Sequence, residues 1–256
     1  MSHVKSEVID RILYVKLSRP EKRNAFHPEM IAELTGIFKT AGTGLARMLI
    51  LSSEGESFCA GGDLEWMKSM AEFSFEENKK DSEALFDMFQ AARVCPLPII
   101  GHVHGHVFGG GLGLLAICDI VAAEKLTQFC FSEVKWGLVP AVISPFVLTR
   151  MNSARAREWM LTAKIFTAAE AREAGLVHFV GEGAEVEHFI VATRKSLLRA
   201  GPESITETKK LLRFLEENQW ANYRERCTTV ISERRASAEG QAGLHAFLNN
   251  TKTTWS

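Results

Sequence analysis

GHVHGHVFGGGLGLLAICD, residues 101–119, decides how this chain is read: a short apolar strand runs into three consecutive glycines that open an apolar helix. The first N–H groups of a helix have no intrahelical acceptor, and the helix dipole adds partial positive charge there. Such an end stabilises negative charge, and glycine lets a ligand touch the backbone. A second turn of the same kind, FCAGGDL at residues 58–64, lies upstream.

Around these two turns, strand, turn and helix alternate without a sequence repeat. Alternation predicts a half-buried strand over 12–17, and apolar positions at helical spacing predict a helix over 28–39. Strands follow at 48–51, 99–103, 120–123, 128–131 and 177–180, with helices at 72–94 and 112–118 and a polar, mobile segment at 68–75. This pattern implies an α/β chain with stacked sheets. From residue 182 onward the chain reads as helices over 182–199, 202–218, 221–232 and 238–249, and Gly201-Pro202 punctuates them. A boundary near Arg199 therefore divides an α/β core, 1–199, from a helical region, 200–256.

Composition narrows the function. Of the 256 residues, 46% are hydrophobic and 24% charged, with a formal net charge of −1, as in an ordinary soluble domain. No lysine- or arginine-rich stripe suits a phosphate backbone, so nucleic acid is not an expected partner. No apolar run approaches the roughly 18 to 20 residues that span a bilayer. The five cysteines are odd in number and lack CxxC spacing, which reads as reduced thiols in a cytoplasmic protein.

Single residues leave alternatives open. Glu133 sits among Phe129, Phe131 and Trp136; desolvation there raises its pKa, whereas a pair with Lys135 holds it at the surface. His102, His104 and His106 share one face of a strand, but Gly105 interrupts it and no further ligand is spaced to close a metal site. Residues 111–116 fit G-x-G-x-x-A, yet the strand that should end in an acidic residue stops before Glu133, which disfavours a dinucleotide site. Asp63 reads as a cap or brace for its turn.

Arg19-Pro20 with Asn24-Ala25, the turn at 58–64, Gly109-Gly110-Gly111, Cys118-Asp119, Phe129 with Glu133, and Gly137-Leu138-Val139-Pro140 follow one another in an order and spacing that resemble the crotonase (enoyl-CoA hydratase/isomerase) superfamily. Ala168-Ala169-Glu170-Ala171 and Gly175-Leu176-Val177 extend the resemblance over essentially the whole chain. It implies a ClpP/crotonase-like spiral of β-β-α units, with the C-terminal helices joining subunits into trimers or hexamers. It further implies that the amides of Gly62 and Gly110 form an oxyanion hole for the thioester carbonyl of an acyl-CoA, with Glu133 as general acid/base. Lys22, Ala25, Ala60, Asp63, Leu64 and Gly113 would line the CoA and substrate site; coenzyme A arrives with the substrate, and no bound cofactor or metal is expected.

The departure is at Gly113. Hydratases of the family carry a first glutamate there, so a two-glutamate mechanism is in doubt and a Δ3,Δ2-enoyl-CoA isomerase with one glutamate is the rival reading. The stretch 132–145 resembles a bacterial branch acting on 3-methylglutaconyl-CoA and related thioesters, which points to a hydratase. On that reading the substrate's own carboxylate occupies the space left by the missing glutamate, with His106 as counter-charge. A non-catalytic acyl-CoA-binding or RNA-binding member is the alternative of another class; retained Glu133 and the near-neutral charge argue against both.

Overall fold

The structure, a computed structural model, describes residues 2–253 and 255. Nine strands form two sheets among the described residues: β1 (Val4–Ile9), β2 (Ile12–Leu17), β3 (Met48–Ser53), β4 (Ile99–Val103), β5 (His106–Phe108), β6 (Ile120–Glu124), β7 (Gln128–Cys130), β8 (Phe166–Thr167) and β9 (Phe179–Gly181). The larger sheet has the order β1-β2-β3-β4-β6-β9 and is parallel apart from the β1–β2 hairpin. The smaller sheet is β5-β7-β8. Strands β3, β4 and β6 are nearly continuous Val/Ile/Leu/Ala runs, as expected of strands covered on both faces.

Helices α1 (Pro28–Thr40), α2 (Leu64–Met70), α3 (Phe75–Val94), α4 (Gly110–Ala116), α5 (Ser144–Leu148), α6 (Ser153–Thr162) and α7 (Ala168–Glu173) accompany the strands. The chain coils. Each pass lays one strand in the large sheet, turns, adds a rung to the small sheet and leaves through a helical turn: β4, β5, α4, then β6, β7 and the 3₁₀ turn Glu133–Trp136. The pass before them ends the same way, since Cys59 bridges Val107 in parallel after β3 and α2 follows. This is the spiral of β-β-α units expected from the sequence.

One face of the large sheet packs on α1, α3 and α4 through Leu34, Phe38, Phe89 and Leu112, all fully buried. Helix α8 (Gly183–Arg199) covers the other face, setting Val186 and Ile190 against Ile12, Met48, Ile50 and Ile100. Beyond it, α9 (Pro202–Glu217), α10 (Tyr223–Ala236) and α11 (Ala238–Leu248) bury almost nothing: α9 has no buried residue, while α10 and α11 have only Val230 and Ala246.

Three expectations shift. The helix placed at 112–118 begins at Gly110, because the glycines enter it rather than precede it. The segment 68–75 is partly helical: Asp63 accepts from Glu65 N and Trp66 N and so starts α2. Helix α3 starts at Phe75 rather than 72, where Ser74 and Glu77 form a reciprocal capping box.

Candidate active site

The small sheet brings the two glycine turns together. Cys59 N–H donates to His106 O (3.1 Å), Phe108 N–H to Cys59 O (2.9 Å) and Gly109 N–H to Cys130 O (2.9 Å), so three rungs lie side by side. Two or three residues past the paired positions, the rungs reach Gly61-Gly62, Gly109-Gly110 and Ser132-Glu133 at one edge. Only small residues fit there. A Cβ on Gly111 would come within 2.6 Å of Cys59 O, and one on Gly110 within 3.0 Å of the Phe26 ring. Gly61 (φ +97°) and Gly109 (φ +50°) adopt the left-handed conformation that glycine favours.

Among the described residues the N–H groups of Gly62 and Gly110 have no protein acceptor. For Gly110 the reason is its place in the first turn of α4. Glu133 faces this edge. Its Oε1 lies 3.4 Å from where a Cβ of Gly109 would stand, and that point is 3.8 Å from Gly61 Cα. Its Oε2 is buried and has no hydrogen-bond partner among the described residues. Burial pushes the Glu133 carboxyl above the usual carboxylate range. Of the two readings open from the sequence, the desolvated one holds: among the described residues Glu133 Oε2 is buried without a partner, and Lys135 is exposed.

A buried polar network braces the first glycine turn. Arg19 Nη2 pairs with Asp63 Oδ2 (2.8 Å), Arg19 Nη1 donates to Ala25 O (2.7 Å), and Asn24 Oδ1 accepts from Arg19 N (2.8 Å). Asn24 Nδ2 donates to Glu54 O and Ser57 O, tying the loop at 19–25 to the approach of the turn. Burial pushes the Asp63 carboxyl up, but Arg19 and the two capping amides outweigh it and hold it below the usual range. Asp63 is 3% exposed and spent on these bonds. Its place is that of the cap and brace read from the sequence, not of a group facing a ligand.

The other candidates are scattered around this centre. Lys22 is exposed and pairs with Glu65 (3.0 Å); Ala60 donates to Arg23 O; Leu64 is 81% exposed at the start of α2. Ala25 is buried with its carbonyl on Arg19.

Gly113 corrects an expectation. It lies on the buried face of α4, and a Cβ there would stand 2.5 Å from Phe89 Cζ and 2.7 Å from Ile143 Cγ2. The place of the missing glutamate is filled by hydrocarbon, so it offers no room for a substrate carboxylate. His106 is set among other partners, its Nδ1 3.2 Å from Ser57 Oγ and its ring beside that of Phe108. The other two histidines diverge as well: His102 faces Glu187 (3.5 Å) and His104 Nε2 meets Gly55 O (2.8 Å).

The sequence reading missed Phe89, Ile143, Trp66 and Met67 as neighbours of the glycines. Met67 approaches a Cβ position on Gly62 to 3.3 Å and Trp66 to 3.9 Å. The i, i+4 step from Asp63 to Met67 behind a capping residue was the available signal. A cavity of about 480 Å³ lies elsewhere, between α9 and the far end of α4, lined by Ala116, Ile117, Phe146, Arg150 and Lys209 among others; none of the candidate residues borders it.

The sequence model of the family described as enoyl-CoA hydratase/isomerase matches residues 7–256. Among curated proteins, the enoyl-CoA hydratase ACTT6 of Alternaria alternata is 31% identical over 244 residues, which are 94% of this chain and 80% of that one. Among solved structures, an enoyl-CoA hydratase/isomerase (crotonase) from Legionella pneumophila superposes over 100% of both chains with a TM-score of 0.92 and 34% identity. An enoyl-CoA hydratase from Shewanella pealeana gives 0.94 and 34%, over 99% of this chain and 96% of its own.

Proposed function

From the premise that this chain belongs to the enoyl-CoA hydratase/isomerase family and is an enzyme of it, we propose that it adds water to an α,β-unsaturated CoA thioester through an enolate held by the Gly62 and Gly110 amides. The observation that carries this reading is the desolvated Glu133 carboxyl, with one orphaned oxygen, at the edge where both unpaired amides lie. Two preorganised donors are worth a few kcal/mol to a developing oxyanion, and they cost no reorganisation when it forms.

With hydrocarbon around Gly113, one carboxyl moves both protons. Ionised Glu133 takes a proton from water as the water oxygen bonds to Cβ and the π electrons pass to the thioester oxygen. The enolate then collapses, and Cα takes that proton back from Glu133. In this reading Lys22, Ala60 and Leu64 contact the CoA moiety; the exposure of Lys22 and Leu64 beside the first turn supports it. The 3-methylglutaconyl type of substrate rests on the stretch 132–145, without the carboxylate slot first expected at Gly113.

The filled Gly113 position also favours a second reading, a Δ3,Δ2 double-bond shift, in which Glu133 removes a proton from C2 and returns it to C4 through the same enolate. Assays with crotonyl-, 3-methylglutaconyl- and 3-enoyl-CoA separate the two. In either case Glu133→Gln should lower kcat by at least about 100-fold while leaving CoA-ester binding within a few-fold. Because the base must start ionised, kcat/KM should fall as pH drops through a pKa above the ordinary carboxylate value. An active Gln variant would refute the assignment.

A further inference from the structure

Phe89 and Ile143 close the Gly113 side of α4: the atoms nearest a Cβ there are all carbon, and none can share the attacking water with Glu133. A water bonded to one carboxylate alone turns about that hydrogen bond, so its lone pair meets Cβ in few orientations. Ser132, the residue before Glu133, offers a second partner. Around the point where a Cβ of Gly109 would stand, the three nearest heavy atoms are Glu133 Oε1 (3.4 Å), Ser132 Oγ (3.6 Å) and Gly61 Cα (3.8 Å). Carboxylate and hydroxyl thus flank one small space between the two glycine turns, which a side chain at position 109 would fill. Ser132 also holds the capping position of the 3₁₀ turn Glu133–Trp136, where a serine hydroxyl ordinarily accepts from the backbone. It does not do so. Lys135 N–H donates to the Ser132 carbonyl (3.1 Å), no capping amide reaches Oγ, and among the described residues that hydroxyl has no hydrogen-bond partner.

We propose that the Ser132 hydroxyl and the Glu133 carboxylate together hold the water that attacks Cβ. One O–H of that water points at Glu133, which takes the proton as the oxygen bonds to Cβ; the other donates to Ser132 Oγ and remains on the product as its hydroxyl. Ser132 itself neither gains nor loses a proton. The proposal rests on the reading of this chain as a hydratase with Glu133 as base, and it gives the water a second partner on the side of Glu133 away from the hydrocarbon at Gly113.

The test compares Ser132→Ala and Ser132→Thr with wild type. Hydration is measured on whichever of crotonyl-CoA and 3-methylglutaconyl-CoA the wild type hydrates faster, and the enolate absorbance of bound acetoacetyl-CoA reports the oxyanion hole without any water being added. Ser132→Ala should lower kcat for hydration about tenfold or more, with KM within about threefold and the enolate signal kept, because only the water has lost a partner. Ser132→Thr keeps a hydroxyl and should recover most of the loss, which a merely structural role would not require. Wild-type hydration by Ser132→Ala, an enolate signal that falls in step with kcat, or a Ser132→Thr enzyme as impaired as Ser132→Ala would each overturn the assignment while leaving the hydratase reading in place. Failure of that reading looks different: wild type would shift the double bond of a 3-enoyl-CoA and hydrate neither 2-enoyl thioester, which leaves no water to hold and removes the proposal with it.

Discussion

At the scale of single residues, the site is held by groups whose protonation the fold has moved in opposite directions. Glu133 binds its proton more tightly in the folded chain than in the unfolded one, because burial penalises its charge. Its contribution is therefore destabilising at neutral pH and is relieved as pH falls through the raised folded value towards the unfolded one. Glu133→Gln should consequently raise Tm at pH 7, and the two melting curves should converge in acid, where the wild-type carboxyl is neutral. Thermal melts of both proteins from pH 4 to 8 check this; a variant of lower Tm at neutral pH would contradict it. Asp63 behaves in the opposite sense, its carboxyl held down by Arg19 and two amides against the pull of burial. Removing the cation strands a buried charge, so Arg19→Met should cost about 3–5 kcal/mol in urea denaturation. That pair was legible in the sequence only as a matched motif, since nothing local says that Arg19 and Asp63 meet.

Elements show where local reasoning ended and packing took over. Strands β2, β3, β4 and β6, and helices α1 and α3, follow from alternation, apolar runs and helical spacing, because burial on a sheet face or helix stripe writes itself into the sequence. Helix α2 left a weak trace: it is seven residues long with none of them buried, and Asp63 alone marks its start. The role of Gly113 left none, because what fills its side comes from Phe89 of α3 and Ile143 just before α5. That contact reverses an expectation drawn from the missing glutamate. Gly113→Ala should overpack α4 against α3 and cost about 1–3 kcal/mol, and Gly113→Glu should lower solubility and activity on crotonyl- and 3-methylglutaconyl-CoA alike. Denaturation of Gly113→Ala, alone and with Phe89→Leu to make room, decides it; the second change should recover part of the loss. A Gly113→Glu enzyme with improved hydration would show that Phe89 and Ile143 yield more easily than their packing implies.

For the whole molecule, the tail poses the largest physical question. Leu212, Trp220, Ile231, Leu244, Phe247 and Leu248 stand exposed on or beside α9 to α11, more apolar surface than three helices leave uncovered in isolation. The expected outcome of light scattering is a trimer or hexamer, and Phe247→Glu/Leu248→Glu should shift the mass towards monomer. A wild-type monomer at all concentrations would leave that surface unexplained. Further in, the spiral that gathers the site has a consequence for how such a chain changes over generations. Both donors of the proposed hole are main-chain N–H groups, carried whatever side chain a codon specifies. Point mutation cannot delete them except by proline; it can only crowd them, as a Cβ at Gly111 would against Cys59 O. Inheritance therefore guards the anion-holding half of the chemistry as an empty space and the proton-moving half as one carboxyl. A descendant could exchange Glu133, and with it the reaction, while keeping the means to hold an enolate.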